Sequence, residues 1–180
     1  MASTKSVVTF RVQLHAFQLA VGRFRRASAR ADAVGAYGPL AEALWHAVTL
    51  DDHLTREWRP FGNTPPSEFW FELDAVSGAQ TVPAVRWVRN AVQHQWADAL
   101  LFIPYNRGGR WPPREHDWVW RPTDEVPGEE KGGRHARKGQ RDLVAEGRAT
   151  YGRLMAGHPA DFTLSILAEV YAEVADLFEP

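Results

Sequence analysis

Apolar residues recur at helical spacing in several long stretches of this chain, and that periodicity constrains the fold more than any other feature. Over residues 6–33, large apolar side chains alternate at intervals of four and three, which predicts one buried stripe along a helix. Its members are Phe10, Leu14, Phe17, Val21 and Phe24. Comparable stripes occupy about 39–58, 81–103, 135–156 and 159–178. We therefore expect an all-α fold, a helical bundle of about five helices.

Residues 104–133 break this periodicity. Glycine and proline pairs punctuate the stretch, at Gly108-Gly109, Pro112-Pro113 and Gly132-Gly133. Because a structureless loop of this length is unusual in a compact domain, we expect an irregular Trp/Pro/Gly-rich insertion that contains a small hairpin or is held by aromatic residues near Trp111 and Trp118–Trp120. A short helix beginning at Ser67 is also expected. The whole chain, 1–180, is interpreted as one domain.

Composition limits the possible classes of function. The net charge is −1, so a nucleic-acid-binding role would have to rest on local basic patches. The chain has no cysteine, which excludes disulfides and thiolate zinc sites. No apolar run approaches the ~20 residues of a membrane span, and the N-terminal residues lead into a charged amphipathic helix unlike a signal peptide. The expectation is a cytoplasmic protein with no membrane contact.

The third helix, predicted from Thr81 to Ile103, carries a distinctive polar face. Thr81 suits the N-cap, and a proline at residue 83 suits the first turn. Asn90, His94 and Asp98 are four residues apart, so they would stack on one face of the helix. Arg89 lies five positions before His94, roughly 140° around the helix at about 100° per residue. Its long side chain could still reach the same cleft.

These side chains suit cleavage of RNA without a metal. Histidine titrates near neutral pH, so His94 could act as general base or acid on the 2′-hydroxyl or on the leaving oxygen. Arg89 would stabilise negative charge on the phosphate, and Asn90 would orient the phosphate or the imidazole. Asp98 could fix the tautomer of His94. Asp51, on the buried flank of the second helix, could reach Arg89 or His94, or could pair locally.

The segment Arg89-Asn90-x-x-x-His94 resembles the signature of HEPN-domain ribonucleases. That resemblance implies an all-helical, homodimeric protein of a toxin–antitoxin or phage-defence system. It further implies a composite site, in which the third helices of two copies supply two histidines and two arginines. The expected substrate is RNA, the expected regulator is an antitoxin or another protein partner, and no metal or cofactor is expected.

Basic residues alternate with tryptophan around the insertion, as single-stranded RNA binding would require. The predicted RNA contacts are Arg86, Arg110, Trp118 and Trp120. In the alternative interpretation, the tryptophans hold the insertion against the bundle and the arginines remain in water.

Two other functions remain open at this point. One is a non-catalytic helical module that binds RNA or protein. The other is a metal-binding bundle that uses Glu42, His46 and His53, whose spacings of four and seven place them on one helical face. Against the metal site, such pairs are usually exposed i,i+4 contacts, and no second helix offers a matching Glu-x-x-His motif.

Overall fold

The computed structural model describes residues 4–57, 79–95, 99–104, 116–126 and 138–177. Within these residues, five α-helices form a bundle and two strands form a small antiparallel hairpin, which confirms the predicted fold class. The elements are α1 (Thr4–Ala29), α2 (Ala33–Glu57), α3 (Val82–Gln95), β1 (Leu100–Pro104), β2 (His116–Trp120), α4 (Lys138–Leu154) and α5 (Ala160–Leu177). A 3₁₀ turn, Ala79–Thr81, precedes α3.

The core is built from the stripes that periodicity predicts. The whole α1 stripe is buried, as are Leu164, Leu167 and Val174 of α5. The rings of Phe10 and Phe17 pack edge-on against Tyr171, with centroids 6.5 and 6.0 Å away. The Tyr171 hydroxyl donates a hydrogen bond of 2.8 Å to the backbone oxygen of Ala47, so the buried ring also joins α5 to α2.

Helix α2 begins at Ala33, earlier than the sequence predicts, because Asp32 caps it. The Asp32 carboxylate accepts a 2.8 Å hydrogen bond from the backbone N–H of Gly35, as an N-cap residue does. A Cβ at Gly35 would overlap that carboxylate. Gly38 lacks the Cβ that would crowd the ring of Pro39 in a helical conformation. The predicted start of this helix near residue 39 was therefore wrong, because Pro39 lies inside α2.

The predicted third helix is too long, because its C-terminal end is a strand. Helix α3 ends at Gln95, and Leu100–Pro104 pairs with His116–Trp120. Phe102 lies opposite Trp118, with ring centroids 4.9 Å apart. Cross-strand packing of apolar and aromatic side chains favours a pleated strand here.

A small hairpin was expected inside the insertion, but only its second strand lies there, because the first strand comes from the predicted third helix. The second strand is anchored to the turn between α4 and α5. The backbone N–H of Trp120 donates to the oxygen of His158 at 3.0 Å, and Gly157 returns a 2.8 Å bond to the Trp120 oxygen. The Trp120 ring is completely buried, and its Nε1 donates to the Thr163 hydroxyl at 2.9 Å. Gly157 adopts a positive φ of 75° in this turn, as expected of a residue that terminates α4.

Helices α3 and α4 approach closely at Gly147, as its position in the α4 stripe predicts. A Cβ at Gly147 would lie 2.9 Å from the backbone oxygen of Pro83 and 2.9 Å from Cβ of Trp87. The Trp87 ring packs on Tyr151 at 4.8 Å. Leu143, expected in the same stripe, is instead mostly exposed.

Several expectations fall outside the described residues, namely the short helix at Ser67, the contacts of Trp111 and most of the insertion. Among the helices that are described, none combines the length and apolar character needed to cross a bilayer.

Candidate functional site

The outward face of α3 carries the side chains singled out from the sequence. Val85, Val88 and Val92 turn inward and are buried, as their spacing predicts. Asn90 is exposed on the other side of α3, and half-buried Arg89 lies at the edge of the buried stripe, one turn after Val85. Burial of one stripe therefore fixes which polar residues the helix can offer to a ligand.

Arg86, one turn before Arg89, is held by two carboxylates of α2. Its Nη2 donates a hydrogen bond to Oδ2 of Asp51 and lies 2.8 Å from Oδ1 of Asp52. The Asp51 side chain is buried, whereas the Arg86 side chain is 38% exposed. Burial alone would lower the pKa of Arg86, but the charges and hydrogen bonds of both aspartates outweigh burial and raise that pKa above its ordinary value. We call Arg86, Asp51 and Asp52 the acid–arginine clamp.

Arg89 lies in a different electrostatic environment from Arg86. Burial lowers the pKa of Arg89 below its ordinary value, the positive charge of Arg86 lowers it further, and Asp52 acts in the opposite direction. The guanidinium remains charged near neutral pH, because an unperturbed arginine titrates above about 12. Bound anionic oxygen would relieve the repulsion between the two guanidinium groups.

Asp51 contacts α3 through Arg86. The sequence predicts that Asp51 reaches Arg89 or His94, or pairs locally, and in the structure it accepts a hydrogen bond from Arg86. Tyr171 lies close enough to Asp51 for the two groups to interact. Burial raises the pKa of the Tyr171 hydroxyl far above its ordinary value, and the negative charge of Asp51 raises that pKa further. Asp51 therefore anchors α3 to the core through Arg86.

Residue 94 lies within α3, one turn after Asn90, since the helix continues to Gln95. The side chain of His94 lies outside the described residues, and so do Asp98 and Arg110. The predicted stacking of Asp98 on His94 therefore stays a prediction. Residues 89–94 form one continuous stretch of helix, as predicted.

The two tryptophans predicted to bind RNA occupy different environments. Trp120 is completely buried, so neither face of its ring is available to a base, and this prediction requires correction. The alternative interpretation, in which tryptophan holds the insertion to the bundle, describes Trp120 well. Trp118 is half-buried against Phe102, and its buried Nε1 has no hydrogen-bond partner among the described residues. Trp118 therefore remains a candidate contact.

The residues of the possible metal site are used in other contacts. Glu42 forms a 2.5 Å ion pair with Arg23, and Nδ1 of His46 lies 3.1 Å from Oε1 of Gln13. Burial lowers the pKa of His46, more than the Glu42 charge raises it. Across the described part of the chain, no three His, Asp or Glu side chains are grouped in a way that could hold a metal ion.

Sequence reasoning did not identify the acid–arginine clamp. Arg86 was predicted as an RNA contact, and Asp52 received no role. The sequence does show two adjacent acids on α2 and two arginines one turn apart on α3. Arg86 and Asp51 are 35 residues apart, however, and the sequence alone does not indicate that they pair.

Comparisons with family models, with curated proteins and with solved structures gave no match to this chain.

Proposed function

We propose that the outward face of α3 binds RNA and cleaves it without a metal, as the resemblance to HEPN ribonucleases implies. The main observation in support is that Arg89, exposed Asn90 and residue 94 share one continuous helix, with Arg86 clamped one turn before them. Two aspartates already bind Arg86, and the resemblance assigns Arg89 to the phosphate.

The proposed chemistry requires a proton acceptor, a proton donor and stabilisation of charge. His94 takes the proton of the 2′-hydroxyl, the 2′-oxygen attacks phosphorus, and the bond to the 5′-oxygen breaks. The leaving 5′-oxygen receives a proton from the imidazolium of a second copy. The products are a 2′,3′-cyclic phosphate and a 5′-hydroxyl. Arg89 stabilises the extra negative charge on the phosphate oxygens, and Asn90 orients the phosphate.

A homodimer that brings two α3 helices together would supply both histidines. Such an enzyme would work in the cytoplasm as a toxin or defence effector, restrained by an antitoxin or a regulatory partner.

Cleavage of a mixed RNA pool in the presence of a chelator tests the proposal. We expect His94→Ala and Arg89→Ala each to reduce the rate by about 10²-fold or more, because each removes one part of the acid–base or charge-stabilising apparatus. His158→Ala and Arg153→Ala are matched controls, since both residues are exposed and neither belongs to α3. Unchanged cleavage by His94→Ala would exclude this mechanism.

The alternative is a module that binds RNA or protein without catalysis. The acid–arginine clamp favours it, because the ion pairs of Arg86 with two aspartates leave this arginine less available to a phosphate. RNA binding that Arg89→Ala weakens, with no cleavage by the wild-type protein, would support the alternative and exclude the enzyme.

A further inference from the structure

The bundle leaves an apolar seam uncovered on the outer side of α1. Val8, Val12 and Leu19 are 56%, 61% and 55% exposed. They lie at positions i, i+4 and i+11, on the side of α1 opposite its buried stripe. Exposed His15 lies between them, so the spacing along the seam is four, three and four. This is the spacing by which one helix packs lengthwise against another.

Helix α2, which packs against α1, contributes an exposed aromatic residue. Trp45 is 47% exposed, and its ring centroid lies 5.0 Å from that of His46. His46 in turn contacts Gln13 of α1. Trp45 is therefore the neighbour of a residue that contacts α1. We call Val8, Val12, Leu19 and Trp45 the outer patch.

The charge around the outer patch has one dominant sign. Helix α1 contains no Asp or Glu and five basic residues: Lys5, Arg11, Arg23, Arg25 and Arg26. Arg30 follows directly and is exposed. Arg23 already pairs with Glu42, and Arg25 with Asp161, whereas Arg26 is exposed at the end of the seam. A ligand that covers the seam would meet cations along its edge.

We propose that the outer patch is a docking site for an acidic amphipathic helix of another protein. Such a helix lies lengthwise against α1, with its apolar residues on Val8, Val12 and Leu19 and its edge on Trp45. Acidic residues flanking its apolar stripe face the cations of α1. This inference is independent of the proposed function, since it involves no residue of α3.

Charge and shape favour this occupant over two others. A second copy related by two-fold symmetry would place two α1 helices against each other, and neither has an acidic residue to offset the repulsion. An anionic bilayer would also attract the arginines, but its surface is flat. The apolar seam is one residue wide and adjoins a second helix, which suits a rod better than a flat surface.

Binding of two synthetic helices to the full-length protein tests the proposal. Both peptides have about three heptads with leucine at the apolar positions, and they differ only in flanking glutamates or lysines. We expect the glutamate peptide to bind at least about tenfold more tightly than the lysine peptide, and this difference to shrink as salt is added. Equal binding of the two peptides, or no binding of the glutamate peptide, would overturn the proposal.

Exposed residues elsewhere on the bundle supply matched variants. Leu19→Lys should weaken binding of the glutamate peptide by at least about tenfold, whereas Leu143→Lys, at a leucine 65% exposed on α4, should leave it unchanged. Trp45→Ala should weaken it, and Phe162→Ala, at a ring also 47% exposed, should not. Equal losses within either pair would contradict the assignment. All four side chains are exposed, and thermal melts check that the variants fold.

Two further measurements identify the competing occupants. Sedimentation over a range of protein concentrations would reveal self-association, and vesicles with and without anionic phospholipid would reveal membrane binding. Self-association or vesicle binding that Leu19→Lys abolishes would assign the patch to that occupant and overturn the proposal.

Discussion

Helix α3 is held in two different ways on its two sides. Against α4 it packs through apolar surface, where Gly147 lets the backbones approach and Trp87 lies on Tyr151. Against α2 it is held by the acid–arginine clamp of Arg86, Asp51 and Asp52. The apolar contact depends on shape and tolerates little added volume. The ionic contact depends on charge, and it also sets the electrostatic environment of Arg89, so α2 affects both the position of α3 and its chemistry.

Removing the cation of the clamp should have the largest effect on stability. Arg86→Ala removes the guanidinium that neutralises buried Asp51, and breaking such a pair costs about 3 kcal/mol, less any relief from solvent at the exposed side of Arg86. Chemical denaturation of the variant and the wild type measures this cost. Arg86→Ala combined with Asp51→Asn should recover part of the loss, because the buried charge is then absent as well. No recovery in the double variant would show that the clamp acts by packing alone.

Adding one methyl group on the opposite side of α3 should cost somewhat less. In Gly147→Ala the new Cβ meets backbone and Trp87, neither of which can move without shifting α3, so we expect a loss of about 2 kcal/mol. Gly22→Ala in α1 is the matched control, since its Cβ meets only the end of Arg26 at 3.6 Å. That variant should gain up to about 1 kcal/mol, from helix propensity. A gain in both variants would contradict the close approach of α3 and α4.

Alkaline pH probes one buried tyrosine in each region. Burial is the leading cause that raises the pKa values of Tyr151, which packs on Trp87, and Tyr171, which lies near Asp51. Because both pKa values are raised in the folded protein, each neutral tyrosine contributes stability that is complete below pH about 10. That stability is lost as the pH rises, because the tyrosines of the unfolded chain ionise first. Between pH 10 and 11 each tyrosine should account for a fall of about 1 kcal/mol in the free energy of unfolding.

Tyr151→Phe and Tyr171→Phe should each make the alkaline decline shallower by a similar amount. Denaturation at a series of pH values measures the two slopes. An unchanged slope in either variant would mean that its hydroxyl ionises as readily in the folded protein as in the unfolded chain.

A turn outside both contacts of α3 should give the smallest effect. Ala31, between α1 and α2, has a positive φ of 55°, a conformation that glycine adopts without steric cost. Glycine relieves this steric cost but also makes the unfolded chain more flexible, which opposes the gain. We expect Ala31→Gly to stabilise the protein by a net amount of about 0.5–1 kcal/mol. A thermal melt resolves this shift, and a loss of stability would contradict the left-handed turn.

Periodicity predicted the helices well, because burial of one stripe leaves a direct trace in the sequence. The same criterion failed for Leu100–Ile103, since a short apolar run fits a helix and a strand equally well. It also misplaced the start of α2, where the Asp32 cap determines the first turn more strongly than the glycines oppose it. The cap could have been found in the local sequence, because Asp32 is only three residues from Gly35. The strand that pairs with β1 lies beyond a long connection, so local sequence does not indicate it.

The candidate site was predicted less completely than the fold. Asn90 is exposed on the outward face of α3, as expected from the buried valines, and Arg89 lies half-buried beside that face. The choice of Arg86 as the partner of Asp51 depends on the rotation of α3 against α2, which helical spacing does not determine. Trp120 shows the same difficulty, because the local sequence of a tryptophan beside arginines is the same whether the ring binds a base or fills the core.

The most direct test of the central claim is cleavage, with a chelator present, of an RNA and of a matched oligonucleotide lacking one 2′-hydroxyl at the mapped cleavage site. We expect wild-type protein to cleave the RNA to a 2′,3′-cyclic phosphate and a 5′-hydroxyl, and to leave the substituted linkage intact. Cleavage at the substituted linkage, or activity that disappears when the chelator removes metal ions, would contradict that claim.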